Sequence, residues 1–185
     1  MCIRDSFCAS VTGDQETWPA LMAVEGETLD TFYAGLSAIA TQQCLVQMAM
    51  ISASGDEIAL VEVENSGDVQ AVKDIFQARI DYQVGDGTSP GGAWYPAPTE
   101  MWRNESRIVS NGNFVMLVAH TGADAVVEQF NALFLLRHAA VHFAAINIGL
   151  RHVLDWCVFV AHCHDRIDWP ALYAVARETR MVGFL

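Results

Sequence analysis

His138 and His142 stand four residues apart, and His152 and Asp155 three apart. Both spacings put a pair on one face of a helix. If the two helices pack antiparallel, three imidazoles and a carboxylate converge, a donor set suited to zinc or another divalent metal, with His162, Cys163 and His164 as further donors nearby. The same residues admit a plainer reading. There is no HExxH and no finger-like cysteine spacing, and Arg151, four residues before Asp155, offers it an intrahelical ion pair. Surface or otherwise satisfied histidines are therefore the expectation, with zinc absent or weakly held and no cofactor implied.

Two other groups could do chemistry. Glu62 and Glu64 lie two residues apart and share a strand face, where paired acids could hold magnesium but more often form the solvated face of an edge strand. Trp94 and Tyr95, with Trp102 just beyond, sit in or beside the segment Val84–Thr99, which carries four glycines and three prolines. Long loops in small domains are usually functional or mobile. These aromatics are the candidate ligand-binding residues, either as a lid that contacts a small molecule or as a plug folded back over the sheet edge, and the cost of exposed aromatic surface favours the plug. No catalytic residue is assigned. GxSxG, GxGxxG and GxxxxGK[ST] are all missing, which removes the usual warrant for nucleophile-elbow, dinucleotide and P-loop chemistry.

The elements that must position these residues follow from hydrophobic spacing. Leu29, Phe32, Tyr33, Leu36 and Ile39 predict an amphipathic helix over 29–40. The runs 44–52 and 57–64 flank Ala53-Ser54-Gly55-Asp56 and read as a hairpin. A second helix opens at Asp68, turns Val69, Val72, Phe76 and Ile80 inward and Lys73, Asp74, Arg79 and Asp81 to water, and ends at Gly85. Asn111-Gly112 marks a second hairpin between 106–110 and 113–119, and Gly122-Ala123 begin a third helix. The order helix, hairpin, helix, hairpin, helix gives an α+β domain with about four mostly antiparallel strands. Beyond it the chain reads as all-helical, with segments 123–146 and 150–163 and a last helix capped by Asp168 ahead of Pro170 and ending near Met181. Residues 7–28 read as irregular. Met48 and Met50, which alternate with smaller residues, are assigned to the core.

Composition bounds function. The chain has 185 residues, is 52% hydrophobic and 17% charged, and carries a net charge of −12, so it is a folded protein with no electrostatic footprint for nucleic acid or anionic lipid. Arg137, Arg151 and Asp155 interrupt its most apolar part, leaving no integral membrane span. Charge changes along the chain: 18 of the 22 acids precede Asn131, while five of the six histidines follow it. That shift marks two units of different character.

Residues of about 29–134 resemble a bacterial domain-of-unknown-function family, number 4358. The resemblance rests on Phe32-Tyr33-Ala34-Gly35-Leu36, Glu57-Ile58-Ala59, Val72-Lys73 to Arg79, Tyr95-Pro96 and Gly112-Asn113-Phe114-Val115. It implies an accessory or binding domain of the exported lipoprotein type, extracytoplasmic or membrane-anchored, with no assigned catalytic residues, whose partner is an unknown small molecule or protein. Cys8 follows Asp5-Ser6-Phe7, which is not the usual small apolar lead-in of a lipobox, so no lipobox cysteine is assigned. Residues 135–185 are similar to the C-terminal helices of an uncharacterised bacterial nucleotidyltransferase family through His138-xxx-His142-Phe143, Ile148-Gly149-Leu150-Arg151, Asp155-Trp156 and Ile167-Asp168-Trp169. The Asp-x-Asp strand on which that family's transfer chemistry rests has no counterpart here. Met1 to Ser6 resembles a translated sequencing adapter. With two resemblances meeting inside Phe130–Phe134, it points to a joined reading frame. The alternatives are a nucleotidyltransferase-related protein lacking its catalytic half and a His-rich metal-binding protein.

Overall fold

The computed structural model describes residues 3–14, 16–51, 53–88, 91–145 and 149–185; of residues 3, 4 and 143–145 only the backbone is described. Met1, Cys2, Pro90, Ile146 and Ile148, all within segments named above, lie outside these. In chain order the elements are α1 (Ile3–Thr12), β1 (Leu21–Ala23), α2 (Gly26–Phe32), β2 (Thr41–Ala49), β3 (Glu57–Val63), α3 (Val69–Val84), α4 (Pro96–Glu105), β4 (Ser106–Asn111), β5 (Phe114–Ala119), α5 (Ala123–Ala145), α6 (Leu150–Cys163) and α7 (Trp169–Glu178). Contacts divide them into two units. One is Asp14–Asp124; the other joins the described residues up to Gly13 to Ala125–Leu185.

The first unit is an α+β domain. Its five strands are ordered β1-β2-β3-β5-β4, and every neighbouring pair is antiparallel. The two predicted hairpins are β2–β3 and β4–β5. In the second, Asn111 pairs with Phe114, so Gly112 and Asn113 make the two-residue turn. Register sets the faces: Ala59, Val61 and Val63 of β3 and Val115, Leu117 and Ala119 of β5 join Val72 and Phe76 of α3 and Trp102 of α4 in one core. Their alternates Ile58, Leu60, Met116 and Val118 are also completely buried, which is why both strands read as continuous apolar runs.

Several expected elements differ. The helix over 29–40 is broken: α2 stops at Phe32 and a 3-10 turn occupies Leu36–Ala38, because Gly35 takes φ +91°, where a β-carbon is disfavoured and the α-helical path cannot continue. Residues 7–28 contain most of α1, all of β1 and the start of α2 rather than an irregular segment. The helix α4 was hidden by its prolines, of which Pro96 sits in the first turn, where the missing N–H costs nothing. Its end carries Trp102 into the core. Glu62 and Glu64 are not the solvated face of an edge strand, since β3 is central: Glu62 is buried and accepts a hydrogen bond from Gln43 Nε2 at 2.6 Å, and Glu64 is exposed just past the strand's end. Met48 packs against the core, whereas Met50 is exposed.

The second unit is helical. Phe7 of α1 packs edge-on against Phe130 of α5, and Ser6 Oγ donates to Glu178 of α7 at 2.7 Å, so α1 belongs with the C-terminal helices. Asp168 caps α7 as its sequence predicts, its carboxylate accepting from the Ala171 N–H at 3.0 Å. Gln129 fastens the same turn through hydrogen bonds to the backbone of Asp168. No described helix is long and apolar enough to cross a membrane.

Candidate functional site

Among the described residues, one deeply buried charged group is one that helix patterning assigned to water. Arg79 follows Val72 by seven residues and Phe76 by three, which returns it to the apolar face of α3, and it is 2% exposed. Glu57 lies two residues ahead of Ala59 on β3 and therefore on the same sheet face. The two meet as a bidentate pair, Nε donating to Oε1 at 3.0 Å and Nη2 to Oε2 at 2.7 Å. The Tyr33 hydroxyl donates a hydrogen bond to the same carboxylate. Phe32, Tyr33, Tyr82 and Trp102 surround the guanidinium, with ring centres 4.6 to 5.9 Å from Cζ.

Electrostatics fixes the charge states. Burial alone would lower the pKa of Arg79, but its hydrogen bonds and charge interaction with Glu57 raise it above the ordinary value. Burial, reinforced by the Glu57 charge, pushes the Tyr33 phenol well above its usual range, so the hydroxyl is a neutral donor. Glu57 thus has a full set of partners and Arg79 does not. Its Nη1 has no hydrogen-bond partner, and neither has the indole Nε1 of Trp102. Unfilled buried donors cost about 1–3 kcal/mol each.

Arg79 also walls two cavities. One, of about 340 Å³, is lined by Phe32, Ile75, Arg79 and Tyr82 among others; the second, of about 180 Å³, by Phe32, Met48, Gly55, Arg79, Tyr82 and Pro98 among others. Gly55 is a thin part of that second wall: a β-carbon there would come within 3.0 Å of Trp102 Nε1 and 2.9 Å of Met101 Cε.

The aromatics of the Val84–Thr99 segment separate. Trp102 is wholly buried, Trp94 is 74% exposed and Tyr95 47% exposed, so Trp94 does not plug the sheet edge and Trp102 is the residue that fills core. Trp94 lines an open groove of about 880 Å³ with Tyr82, Gly91, Gly92 and Arg103, and this groove shares Tyr82 and Gly92 with the smaller cavity beside Arg79. The segment is held by two backbone bonds to the last turn of α3, from Gly92 N to Tyr82 O at 2.8 Å and from Ala93 N to Gln83 O at 3.2 Å. Glycine permits this approach, since a β-carbon on Gly91 would lie 2.3 Å from the Gln83 carbonyl oxygen.

A third polar cluster lies at the ends of the central strands. His120, just after β5, meets Asp56, just before β3, at 2.6 Å, and Trp18 stacks on the imidazole at a centroid distance of 4.0 Å. Burial raises Asp56, but the hydrogen bonds from His120 and Ser54 outweigh it and hold the carboxyl below its ordinary pKa. Ser54 bonds to Asp56 rather than to the imidazole. No serine–histidine–carboxylate relay is formed, and the cluster acts as a clasp.

In the helical unit three of the histidines come together, while Asp155 is not part of their group. The rings of His138 and His142 on α5 and His152 on α6 have centres 4.4 to 5.1 Å apart, His142 and His152 stacked and His138 edge-on or tilted to them, and one ring nitrogen of each lies within 4.8 Å of the others. Burial first, then the neighbouring His142 and His152, lower the pKa of His138, while the Asp155 charge acts the other way. Asp155 forms the expected pair with Arg151, at 3.7 Å and largely in solvent. His162 turns back on its own helix, to the Val158 carbonyl at 2.8 Å, and Cys163 contacts Arg166, so neither belongs to the His138 group.

Arg79, Glu57, Tyr33, Asp56 and His120 were not singled out from sequence as site residues. The seven-residue step from Val72 to Arg79 and the two-residue step from Glu57 to Ala59 were the available signals. Nothing in the local pattern around His120 marks it.

The first unit is thus an antiparallel α+β domain built around a buried polar centre. The model of a domain of unknown function, DUF4358, matches residues 16–120, nearly the whole of the first unit, and the chain belongs to this family. No curated protein and no solved structure matches the chain.

Proposed function

We propose that Asp14–Asp124 is a non-catalytic accessory domain of the exported lipoprotein type that binds a small, mostly apolar molecule through one uncharged acceptor oxygen. The observation that carries this reading is Arg79: a buried guanidinium whose Nη1 is unfilled while the residue itself walls two cavities. Glu57 already neutralises Arg79, so a ligand carboxylate would bring an uncompensated buried charge into a chain of net charge −12, and a carbonyl oxygen fits better. Phe32, Met48, Tyr82 and Pro98 supply apolar walls, and the groove under Trp94 and Tyr82 supplies the approach. The exported setting is supported by the family resemblance. The similarity of residues 135–185 to nucleotidyltransferase helices brings no Asp-x-Asp strand, and no nucleotide transfer to an acceptor is expected above a heat-killed control.

Calorimetric titration with acetophenone, benzoate and toluene tests the reading, because the three share a ring and differ in polar group. Acetophenone should bind most tightly, and both Tyr82→Ala, which opens the cavities, and Gly55→Ala, which fills one, should weaken it. Equal binding of all three, or binding indifferent to both substitutions, would overturn it.

A further inference from the structure

We propose that His138, His142 and His152 form a surface site for a divalent transition-metal ion such as Zn2+, Co2+, Ni2+ or Cu2+, with Asp155 or water completing the coordination. The site lies in the helical unit, outside the family domain. Two of its donors are fixed by one helix: His138 and His142 are four residues apart on α5, with ring centres 4.4 Å apart. The third comes from the first turn of α6 and stacks on His142, also at 4.4 Å.

Three imidazole nitrogens within 4.8 Å of one another are close to a binding geometry. A tetrahedral ion with bonds of about 2.0–2.1 Å needs its ligand nitrogens roughly 3.3 Å apart, so the rings must draw closer together on binding. Partial exposure of the rings leaves room for it. Imidazole donors select borderline metals rather than Mg2+ or Ca2+, and three histidines with an open fourth position suit Zn2+ or Co2+. Asp155, whose charge acts on His138, is a carboxylate that can take that position, at the cost of its exposed contact with Arg151.

One existing interaction must yield. The Gly149 N–H donates to His152 Nδ1 at 3.3 Å, which makes Nδ1 an acceptor. If the ion takes Nδ1 it replaces that hydrogen; if it takes Nε2, the ring proton moves to Nδ1, which can then no longer accept. Either way the Gly149 bond is lost. It is long, exposed and at a helix N-terminus, where water can replace it. An ion bound here joins the end of α5 to the start of α6 and stabilises the helical hairpin in proportion to its occupancy.

His162, ten residues further along α6 and about 15 Å away, serves as a control. The experiment titrates tag-free full-length chain with Co2+ and follows its visible absorption, then repeats the titration with Zn2+ in competition. One Co2+ per chain is expected, displaced by Zn2+, with the Gly149 amide resonance shifting at the same stoichiometry. His142→Gln should raise the apparent Kd by more than about tenfold, and His162→Gln should leave it unchanged. Circular dichroism of each metal-free variant separates lost binding from lost fold, and His138→Gln provides the same test at a more exposed position. Binding well below one ion per chain would overturn the proposal. So would tight binding that survives the combined His138, His142 and His152 substitutions.

Discussion

The two units treat polar groups and apolar surface in opposite ways. In the sheet unit, Glu57 and Arg79 are withdrawn from water and wrapped by rings, and β3 leaves none of its side chains exposed. In the helical unit the histidines and Asp155 stay at the surface, and α6 also exposes Leu150, Val153, Leu154 and Val158. A buried charge pair is rigid because any displacement strands a charge in low dielectric, whereas surface side chains rearrange at little cost. The first environment suits selection of a neutral ligand by shape and one hydrogen bond. The second suits a cation that gathers its own ligands.

The sharpest way to break this contrast is to remove one partner of the buried pair. Arg79→Ala or Glu57→Ala should cost about 3–5 kcal/mol in urea unfolding, since either leaves a lone buried charge. The combined Glu57→Leu, Arg79→Met replacement should recover most of that loss while abolishing ligand binding. If the double variant is as unstable as the single ones, the pair is holding the fold through more than its charges.

A smaller effect, about 1.5–3 kcal/mol, is expected of Asp56→Asn at neutral pH, because a carboxylate hydrogen-bonded to His120 and Ser54 loses its charge. The sign of its pH dependence is fixed. The folded-state pKa of Asp56 is depressed, so its contribution is present above the unfolded value and is lost as pH falls through the folded one. Asp56→Asn should therefore flatten the acid limb of the stability curve, and an unchanged limb would assign that limb to other carboxylates.

In the helical unit the effects should be weaker. Asp168→Ala removes the cap of α7 and should cost about 1 kcal/mol. Asp155→Asn breaks an exposed pair with Arg151 and should change thermal stability by less than about 0.5 kcal/mol without metal. A larger loss there would show that the surface charges are stronger than the contrast allows.

Much of the fold is legible in sequence for simple reasons. Short apolar runs bounded by turn residues set β2, β3 and β5, Asn111-Gly112 locates the second hairpin, and the spacing of Val69, Val72, Phe76 and Ile80 sets α3. Asp168 and Pro170 place the start of α7. Two elements were obscured by local chemistry that tertiary packing overrides. Gly35 splits a helical pattern that Leu36 and Ile39 continue in sequence, and the prolines of α4 resemble loop residues although the first of them starts a helix. The site was less legible than the fold. His138, His142 and His152 could be paired because helix spacing is local. Arg79 was misplaced because residue type argued for solvent while its position, one heptad after Val72, argued for the core. The partner that decides between them, Glu57, is 22 residues earlier in the chain. Burial of a charged side chain depends on a long-range match that one helix cannot reveal.

The central claim is that the unfilled donors beside the Arg79 cavities receive a ligand oxygen. Nitrogen-15 NMR of the full chain during titration with acetophenone observes them directly, through the Trp102 indole Nε1–H and the Arg79 guanidinium resonances. Both should shift saturably, with the indole protons of Trp18, Trp156 and Trp169 unmoved, and toluene should leave the guanidinium unchanged. Saturating acetophenone with no shift at Arg79 or Trp102, or a guanidinium shift of the same size with toluene, would contradict it.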